Sequence, residues 1–336
     1  MRYKSDYAIA KFWYRIGAFF IDTIILGIIG FILSLFFENY FRMLGVYGVY
    51  VGFIISLIYF TLFNSYLLNG QTIGKKITGI MVVDYRDQLL SIKDSFIRSL
   101  ILTFPYFCYG VTIPGIDENS QIQIIILLLP IILSVGILYY YIFNVNNRQS
   151  LHDILVKSYV VDEYEEFEKV DREIVKPILN YVYYGFICML VLLFVFLRVI
   201  DYSNSTSNEL IRLQTRVNLI NSNETIYHKP NVLLSINNYQ SKNIMYCNII
   251  VYNYVDYKTP KELVKNEYIR KVVTTILKNY SEIKNIDNIT INMISGYNIG
   301  IFKKQINVYI TKKPKELLEI FKSSNSPSYR ICSINE

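Results

Sequence analysis

The first apolar run of the chain reads AFFIDTIILGIIGFILSLFF and covers Ala18–Phe37. A helix needs about 20 mostly apolar residues to cross the hydrocarbon core of a bilayer, so this run is long enough to span one. A single charged residue, Asp22, interrupts it. No small-residue cleavage site follows, and the run is longer than the apolar core of a signal peptide. The sequence therefore predicts a membrane span that is retained.

Four similar runs follow along the chain. They cover Tyr47–Leu68, Ser99–Ile116, Ile122–Phe143 and Ile178–Leu197. The composition agrees, since 52% of the 336 residues are hydrophobic and 18% are charged, whereas about a quarter of the residues of a soluble domain are charged. We predict a multi-span α-helical membrane domain of about five transmembrane helices, followed by a small soluble α+β domain. This composition excludes an ordinary soluble enzyme.

The distribution of basic residues predicts the orientation. The segments before the first span, after the second and after the fourth hold 14 lysines and arginines. The two short loops that alternate with them hold one, Arg42. Basic residues in short loops favour the cytoplasmic side, so the N-terminus is predicted to be cytoplasmic. Five crossings then place the chain from about Asp201 onward outside the cell membrane.

The segment Val161–Lys176 is rich in aspartate and glutamate. Glu168 and Arg172 are spaced i,i+4, as in a charged helix, so we expect a solvated linker helix here. The predicted domains are a four-span membrane domain (1–162), an acidic cytoplasmic linker (163–177), a fifth transmembrane helix (178–200) and an extracytoplasmic α+β domain (201–336).

The C-terminal part mixes helical and alternating patterns and holds the whole net charge of +7. We interpret its lysines as a solvated surface. It has no visible nucleophile–base pair, so we do not expect an enzyme. The patterns predict a polar helix at Thr206–Ile220, strands at Val232–Ile236 and Met245–Tyr254, a helix from Thr259 to about Lys284, a hairpin across Gly296–Asn298 and a helix at Lys315–Phe321.

Two of the four cysteines, Cys247 and Cys332, lie in the predicted outer domain. That compartment permits disulfides, so we expect that these two thiols can pair. The sequence has no CxxC motif and no cluster of histidine and cysteine, so we predict no metal site.

The aspartate inside the first run is the chain's most unusual residue. A charged group at the centre of a bilayer costs about 2.5–3.5 kcal/mol on insertion scales, so Asp22 must be neutral, paired or facing water. Arg15 lies seven residues earlier on the same helix face, but too far away for direct contact, so each residue needs a partner on another helix. We expect Arg98 to be the partner of Asp22. A structural hydrogen-bonding role and an ion or proton site are equally open for this carboxyl.

The segment Gly70–Asp84 reads GQTIGKKITGIMVVD. Its GxxxGKK spacing differs from the GxxxxGK[ST] of a phosphate-binding loop. We interpret the glycines as permitting a tight cytoplasmic re-entry, with Lys75 and Lys76 at the lipid headgroups, and Ile80–Asp84 as a strand.

A second polar block, RQSLHD, covers Arg148–Asp153. The spacing of Ser150 and Asp153 fits a capping box, so composition alone assigns Asp153 to a helix start.

Taken together, these blocks resemble the RDD family of membrane proteins, named for one arginine and two aspartates. Arg15, Asp22 and Asp153 match those three residues, and Arg98 matches a further arginine of the family. The loop signature is carried by Gly70, Gly74, Lys75 and Gly79. The resemblance covers residues 8–162 and implies a multi-span protein suspected of transport, some members resembling monovalent cation/proton antiporters. The resemblance then implies that Asp22 exchanges the ion or proton and that Arg15 or Arg98 tunes the pKa of its carboxyl. Asp153 would orient the cytoplasmic mouth of the transport path.

Two functions remain open. The first is a secondary transporter that moves a small cation or solute against protons by means of Asp22. The second is a membrane-anchored binding or assembly module whose outer domain recognises a partner, with purely structural charged residues. Expected partners are the lipid bilayer, a small cation or proton, an unidentified extracytoplasmic partner and a second copy of the chain. We expect no nucleic acid and no cofactor.

Overall fold

The computed structural model describes residues 4–108, 121–171, 177–203, 212–213, 216–217, 231–239, 242–251, 259 and 264–323. The chain divides into two compact units. The first comprises Met1–Phe36, Tyr47–Val195 and Ile299–Phe302, and the second comprises Phe37–Val46, Phe196–Asn298 and Lys303–Glu336.

Helices form at all five predicted apolar runs. They are α1 (Phe12–Leu44), α2 (Val49–Phe63), α4 (Ile92–Cys108), α5 (Gln121–Phe143) and α7 (Pro177–Ser203). Within the described residues, α1 is the one helix that is long and apolar enough to cross a membrane, judged by length and composition. Shorter apolar stretches occur at Val49–Phe63, Leu128–Phe143 and Ile178–Leu192. The count of about five transmembrane helices therefore stays a prediction.

Short elements connect these helices in the first unit. They are β1 (Lys4–Ile9), α3 (Ile73–Thr78), β2 (Ile80–Asp84), α6 (Leu151–Val156) and β3 (Ser158–Asp171). The strand predicted at Ile80–Asp84 is confirmed as β2. The three strands form an antiparallel sheet in the order β1-β3-β2.

The acidic segment is a strand as far as Asp171, where the described part of it ends, so the predicted linker helix is wrong. The backbone of β3 pairs with β2 in the register Val82↔Val160 and with β1 in the register Ile9↔Val161. Val160 and Val161 are both buried, in separate apolar clusters. Inter-strand hydrogen bonds and this burial outweigh the weak helix preference of an i,i+4 ion pair.

The second unit is built on a sheet of four strands in the order β4-β5-β6-β7. Strands β5 and β6 are parallel, whereas the other two pairs are antiparallel. A helix, α8, precedes β6, and another, α9, follows β7. The bounds are β4 (Asn231–Tyr239), β5 (Lys242–Val251), α8 (Glu267–Asn279), β6 (Asn288–Asn298), β7 (Lys303–Lys312) and α9 (Pro314–Ser323).

The C-terminal region contains a sheet, as predicted, with shifted boundaries. The hairpin turns at residues 299–302 rather than across Gly296–Asn298, because Asn298 still pairs with Lys303. The helix predicted from Thr259 is observed as α8, whose N-cap Asn266 accepts a hydrogen bond from Ile269 N at 3.0 Å. One apolar cluster between the sheet and its helices includes Met245, Val272, Ile276, Ile291 and Phe321. The predicted helix Thr206–Ile220 lies largely outside the described residues.

Candidate functional site

The Asp22 carboxylate lies in a buried cluster built from α1, α2 and the N-terminus of α3. It is 1% exposed. Its Oδ1 accepts hydrogen bonds from the Tyr59 hydroxyl at 2.7 Å and from Gly74 N at 2.8 Å. Its Oδ2 accepts one from the Thr72 hydroxyl at 2.6 Å. All three donors are neutral.

The loop signature explains how α3 reaches this carboxylate. Thr72 is the N-cap of α3, and its hydroxyl also accepts a hydrogen bond from Lys75 N at 3.2 Å. A Cβ atom at position 74 would collide with Ala18 O and lie 2.9 Å from Asp22 Oδ1, so only glycine fits there. The helix ends at Gly79, whose φ of +69° is the left-handed conformation that glycine adopts without strain. The signature therefore shapes a short helix that docks on Asp22.

Lys75 lies beside the Asp22 cluster and is held by a neutral group. Its Nζ donates to Asn64 Oδ1, and Asn64 is itself fully buried and donates to Phe60 O at 2.7 Å. Burial lowers the pKa of Lys75 well below its usual value, Arg98 lowers it further, and Asp22 and Asp153 oppose the shift. None of the described carboxylates forms a salt bridge with this amine. The expectation that Lys75 lies at the lipid headgroups is wrong.

Asp153 lies in a second cluster, where two arginines neutralise it. Its Oδ1 accepts from Arg98 Nε at 2.9 Å and Nη2 at 2.8 Å, and its Oδ2 accepts from Arg15 Nη2 at 2.8 Å. Ser158 Oγ donates to Oδ1 at 3.1 Å and Ser150 N to Oδ2 at 3.2 Å. The carboxylate is fully buried, yet every acceptor site has a donor.

The electrostatics of this second cluster fix the charge of Asp153. Burial alone would raise the pKa of its carboxyl, but Arg98, His152, Arg15 and the hydrogen bond from Ser150 N together outweigh burial and hold the pKa well below its usual range. Burial lowers the pKa of the neighbouring His152 to about 3, so this imidazole is neutral near pH 7. Asp153 is therefore a permanent anion between two cations.

The predicted partners are only partly correct. Arg15 and Asp22 each find a partner on another element, as expected, since Arg15 reaches Asp153 and also donates to Arg148 O. The expectation that Arg98 pairs with Asp22 is wrong, because Arg98 forms its ion pair with Asp153. The contact between Ser150 N and Asp153 also supports the capping interpretation, so Asp153 both caps α6 and binds two arginines.

Sequence reasoning missed two ligands of Asp22. Thr72 lies inside the quoted loop signature, at a position typical of a helix N-cap, so the sequence could have predicted that its hydroxyl lies at the start of a helix. Tyr59 gave none, because a tyrosine in an apolar helix is common and only the packing of α2 on α1 reveals its role.

The remaining site predictions concern cysteines and metals. Cys247 is a free thiol in the apolar core of the second unit, and burial raises its pKa to about 12. Cys332 lies outside the described residues, so its pairing with Cys247 stays a prediction. In the part of the chain that the structure describes, no group of three or more histidine, cysteine, aspartate or glutamate side chains is placed to hold a metal ion.

Comparison with known proteins adds one finding. No curated protein and no solved structure matches the chain. Residues 9–157 match the RDD family, and this stretch contains Arg15, Asp22, Arg98 and Asp153. The match covers the residues that form both buried clusters apart from Ser158. It confirms the resemblance carried by the sequence blocks: residues 9–157 match the RDD family.

Proposed function

We propose that this protein is a multi-pass cell-membrane protein and a secondary transporter, in which Asp22 binds the small cation or proton that is moved. The observation that carries the proposal is the setting of Asp22, a buried carboxylate whose hydrogen-bond donors are all neutral. Lys75 lies close enough to influence it electrostatically but does not form an ion pair with it.

The contrast with Asp153 supports this assignment. A buried charge is expensive unless it is paired, and Asp153 meets that requirement with two guanidinium groups. Asp22 is just as buried as Asp153, but its described hydrogen-bond donors include no guanidinium group. A buried carboxylate of this kind inside a membrane span is by default a candidate functional residue. A carboxylate whose charge is not already neutralised by a permanent cation can gain and release a proton or a small cation. The cluster around Asp22 thus suits exchange, and the cluster around Asp153 suits bracing.

The proposal includes about five membrane crossings, with a cytoplasmic N-terminus and an outer C-terminal domain. Its support is the RDD family match, the long apolar helix α1, the shorter apolar helices and the alternation of basic loops.

Ion flux in proteoliposomes tests the role of Asp22. We expect Asp22→Asn to abolish proton-coupled cation uptake, because asparagine keeps the size of the side chain but cannot carry the charge. Glu267→Gln, which removes an exposed acid outside this cluster, is the control and should keep the flux of the unchanged protein. Full flux in Asp22→Asn would rule out the carboxylate's role.

The alternative function is a membrane-anchored binding or assembly module. One observation favours it, namely that the second unit has an extensive apolar core of its own, as a recognition domain requires. A protein that shows no flux for protons or alkali cations in its unchanged form would point to this alternative.

A further inference from the structure

On the paired helices α2 and α4, two serine hydroxyls are buried without a hydrogen-bond partner among the described residues. Ser56 of α2 is 1% exposed and Ser99 of α4 is fully buried. Neither hydroxyl has a hydrogen-bond partner among the described residues, and the same holds for the hydroxyl of Thr61 on α2. Nearly all buried polar groups in native proteins are hydrogen-bonded, to protein or to ordered water. These hydroxyls therefore point to a polar occupant.

The packing of α2 against α4 places both serines between the same two contacts of these helices. Ser95 Oγ donates to Thr61 O at 2.7 Å near one end of the pair, and the rings of Phe53 and Phe107 lie 5.8 Å apart near the other, so the helices are antiparallel. At 1.5 Å per residue, Ser99 lies about 6 Å beyond Ser95, and Ser56 about 7.5 Å beyond Thr61 in the same direction. The heights of the two serines thus differ by about 1.5 Å when counted from Thr61 and Ser95, and by about 7.5 Å when counted from Phe53 and Phe107.

The two serines also lie next to the Asp22 cluster. Tyr59, whose hydroxyl donates to Asp22, is one turn from Ser56 on α2. At 100° per residue, Ser56 projects about 60° from Tyr59 and about 60° from Phe53. It therefore faces the junction between α1, which carries Asp22, and α4, which Phe53 contacts.

We propose that Ser56 and Ser99 hold a short chain of water molecules that carries protons to and from Asp22. The inference rests on the proposed function of Asp22. A buried water needs two to four polar partners, and the orphaned hydroxyls of α2 and α4 provide them. A hydroxyl both donates and accepts, so a proton entering at one end of such a chain releases another at its far end.

The Tyr59 hydroxyl completes the relay. Its oxygen already accepts a hydrogen bond from Ile73 N at 3.2 Å, and its remaining lone pair takes a proton from the nearest water as its own proton passes to Asp22 Oδ1, to which it already donates at 2.7 Å. The phenol is restored in this step, and Asp22 alone changes its charge.

Chemical labelling tests whether water reaches the serines. In a background with all four cysteines replaced by alanine, Ser56→Cys and Ser99→Cys should react with methanethiosulfonate ethylammonium, because this reagent modifies thiols in contact with water. Ile58→Cys is the matched control, since Ile58 lies on α2 but is exposed on its outer surface, where lipid would surround it. It should stay unmodified.

Flux in proteoliposomes tests whether the water chain is used. Ser56→Ala combined with Ser99→Ala should lower proton-coupled flux several-fold while the thermal unfolding temperature stays unchanged, because neither hydroxyl bonds to a protein group that the structure describes. Unmodified cysteines together with full flux in the double variant would overturn the water chain. If Asp22→Asn abolishes flux in the same series, the proposed transport function survives that failure. If Asp22→Asn leaves flux intact, both proposals fail.

Discussion

At the scale of single residues, the absence of a side chain at position 74 lets α3 approach α1. We expect Gly74→Ala to destabilise the protein by about 1–3 kcal/mol, since its Cβ would overlap Ala18 O and displace the hydrogen bond to Asp22. Gly185→Ala is the matched control, because nothing lies within 4 Å of a Cβ there. Thermal unfolding in detergent measures both. Equal stability of the two variants would contradict the close approach of the helices.

The ion pairs of Asp153 predict a larger effect. Asp153→Asn leaves the buried guanidinium groups of Arg15 and Arg98 uncompensated, and breaking a buried pair costs roughly 3–5 kcal/mol. Glu267→Gln removes an acid from an exposed pair with Lys271 and should not change the stability measurably. Denaturant unfolding of both variants in the same detergent makes the comparison. An Asp153→Asn variant as stable as the control would show that the arginines do not depend on this carboxylate.

His152 predicts how stability depends on pH. Its pKa is lowered to about 3 in the folded protein, against about 6.5 in an unfolded chain. Below about pH 6.5 the unfolded state therefore binds a proton that the folded state does not, so stability falls as the pH is lowered. Asp153 also makes stability fall as the pH is lowered, but in a lower pH range, because the pKa of its carboxyl is depressed in the folded protein as well. We expect His152→Gln to flatten the loss between about pH 6.5 and pH 4, as measured by unfolding at each pH. An unchanged pH profile in this variant would show that His152 takes up its proton in the folded state.

The sequence identifies the key residues more readily than their partners. Asp22 stands out because a charged group is costly within an apolar run, and Arg15 because it lies on the same helix face. Asp153 stands out only through the resemblance to the RDD family. Which of them pair depends on which helices are neighbours, and no local pattern encodes that. Arg98 illustrates the limit, because it was expected at Asp22 and contacts Asp153 instead.

At the scale of elements, β3 shows how tertiary pairing overrides local preference. The i,i+4 spacing of Glu168 and Arg172 favours a helix when the segment is considered alone. Strands β1 and β2 come from parts of the chain far away in sequence, and their pairing with β3 decides the outcome. The strand β2 could be predicted, by contrast, because its apolar run is short and bounded by glycine and by the turn that follows Asp84.

The burial of β3 leads to a testable effect on the sheet. Val161 is fully buried against Val83 and Tyr159, so we expect Val161→Ala to cost roughly 1–3 kcal/mol through lost burial and a residual cavity. Leu155→Ala, at an exposed position of the adjacent helix α6, is the control and should change little. Thermal unfolding of the two variants distinguishes them. If both variants lose the same stability, the burial of Val161 in the sheet makes no specific contribution to the stability of the protein.

At the scale of the whole molecule, the arrangement of basic residues makes a prediction about topology. Alkaline phosphatase, which is active only outside the cytoplasm, is fused either after residue 171, before α7, or after residue 323, at the end of α9. Four crossings before residue 171 would keep the first fusion inside, and α7 would carry the second outside. We therefore expect low phosphatase activity for the first fusion and high activity for the second.

A green fluorescent protein fused at the same two positions provides the control, because it fluoresces only when folded in the cytoplasm. Its signals should be the reverse of the phosphatase signals. The basic loops determine this orientation, since 14 lysines and arginines lie on one predicted side and Arg42 alone lies in the loops opposite. High phosphatase activity at residue 171 would invert this orientation. Equal activity at the two positions would show that α7 does not cross the membrane, and the C-terminal domain would then lie on the same side as the Asp153 cluster.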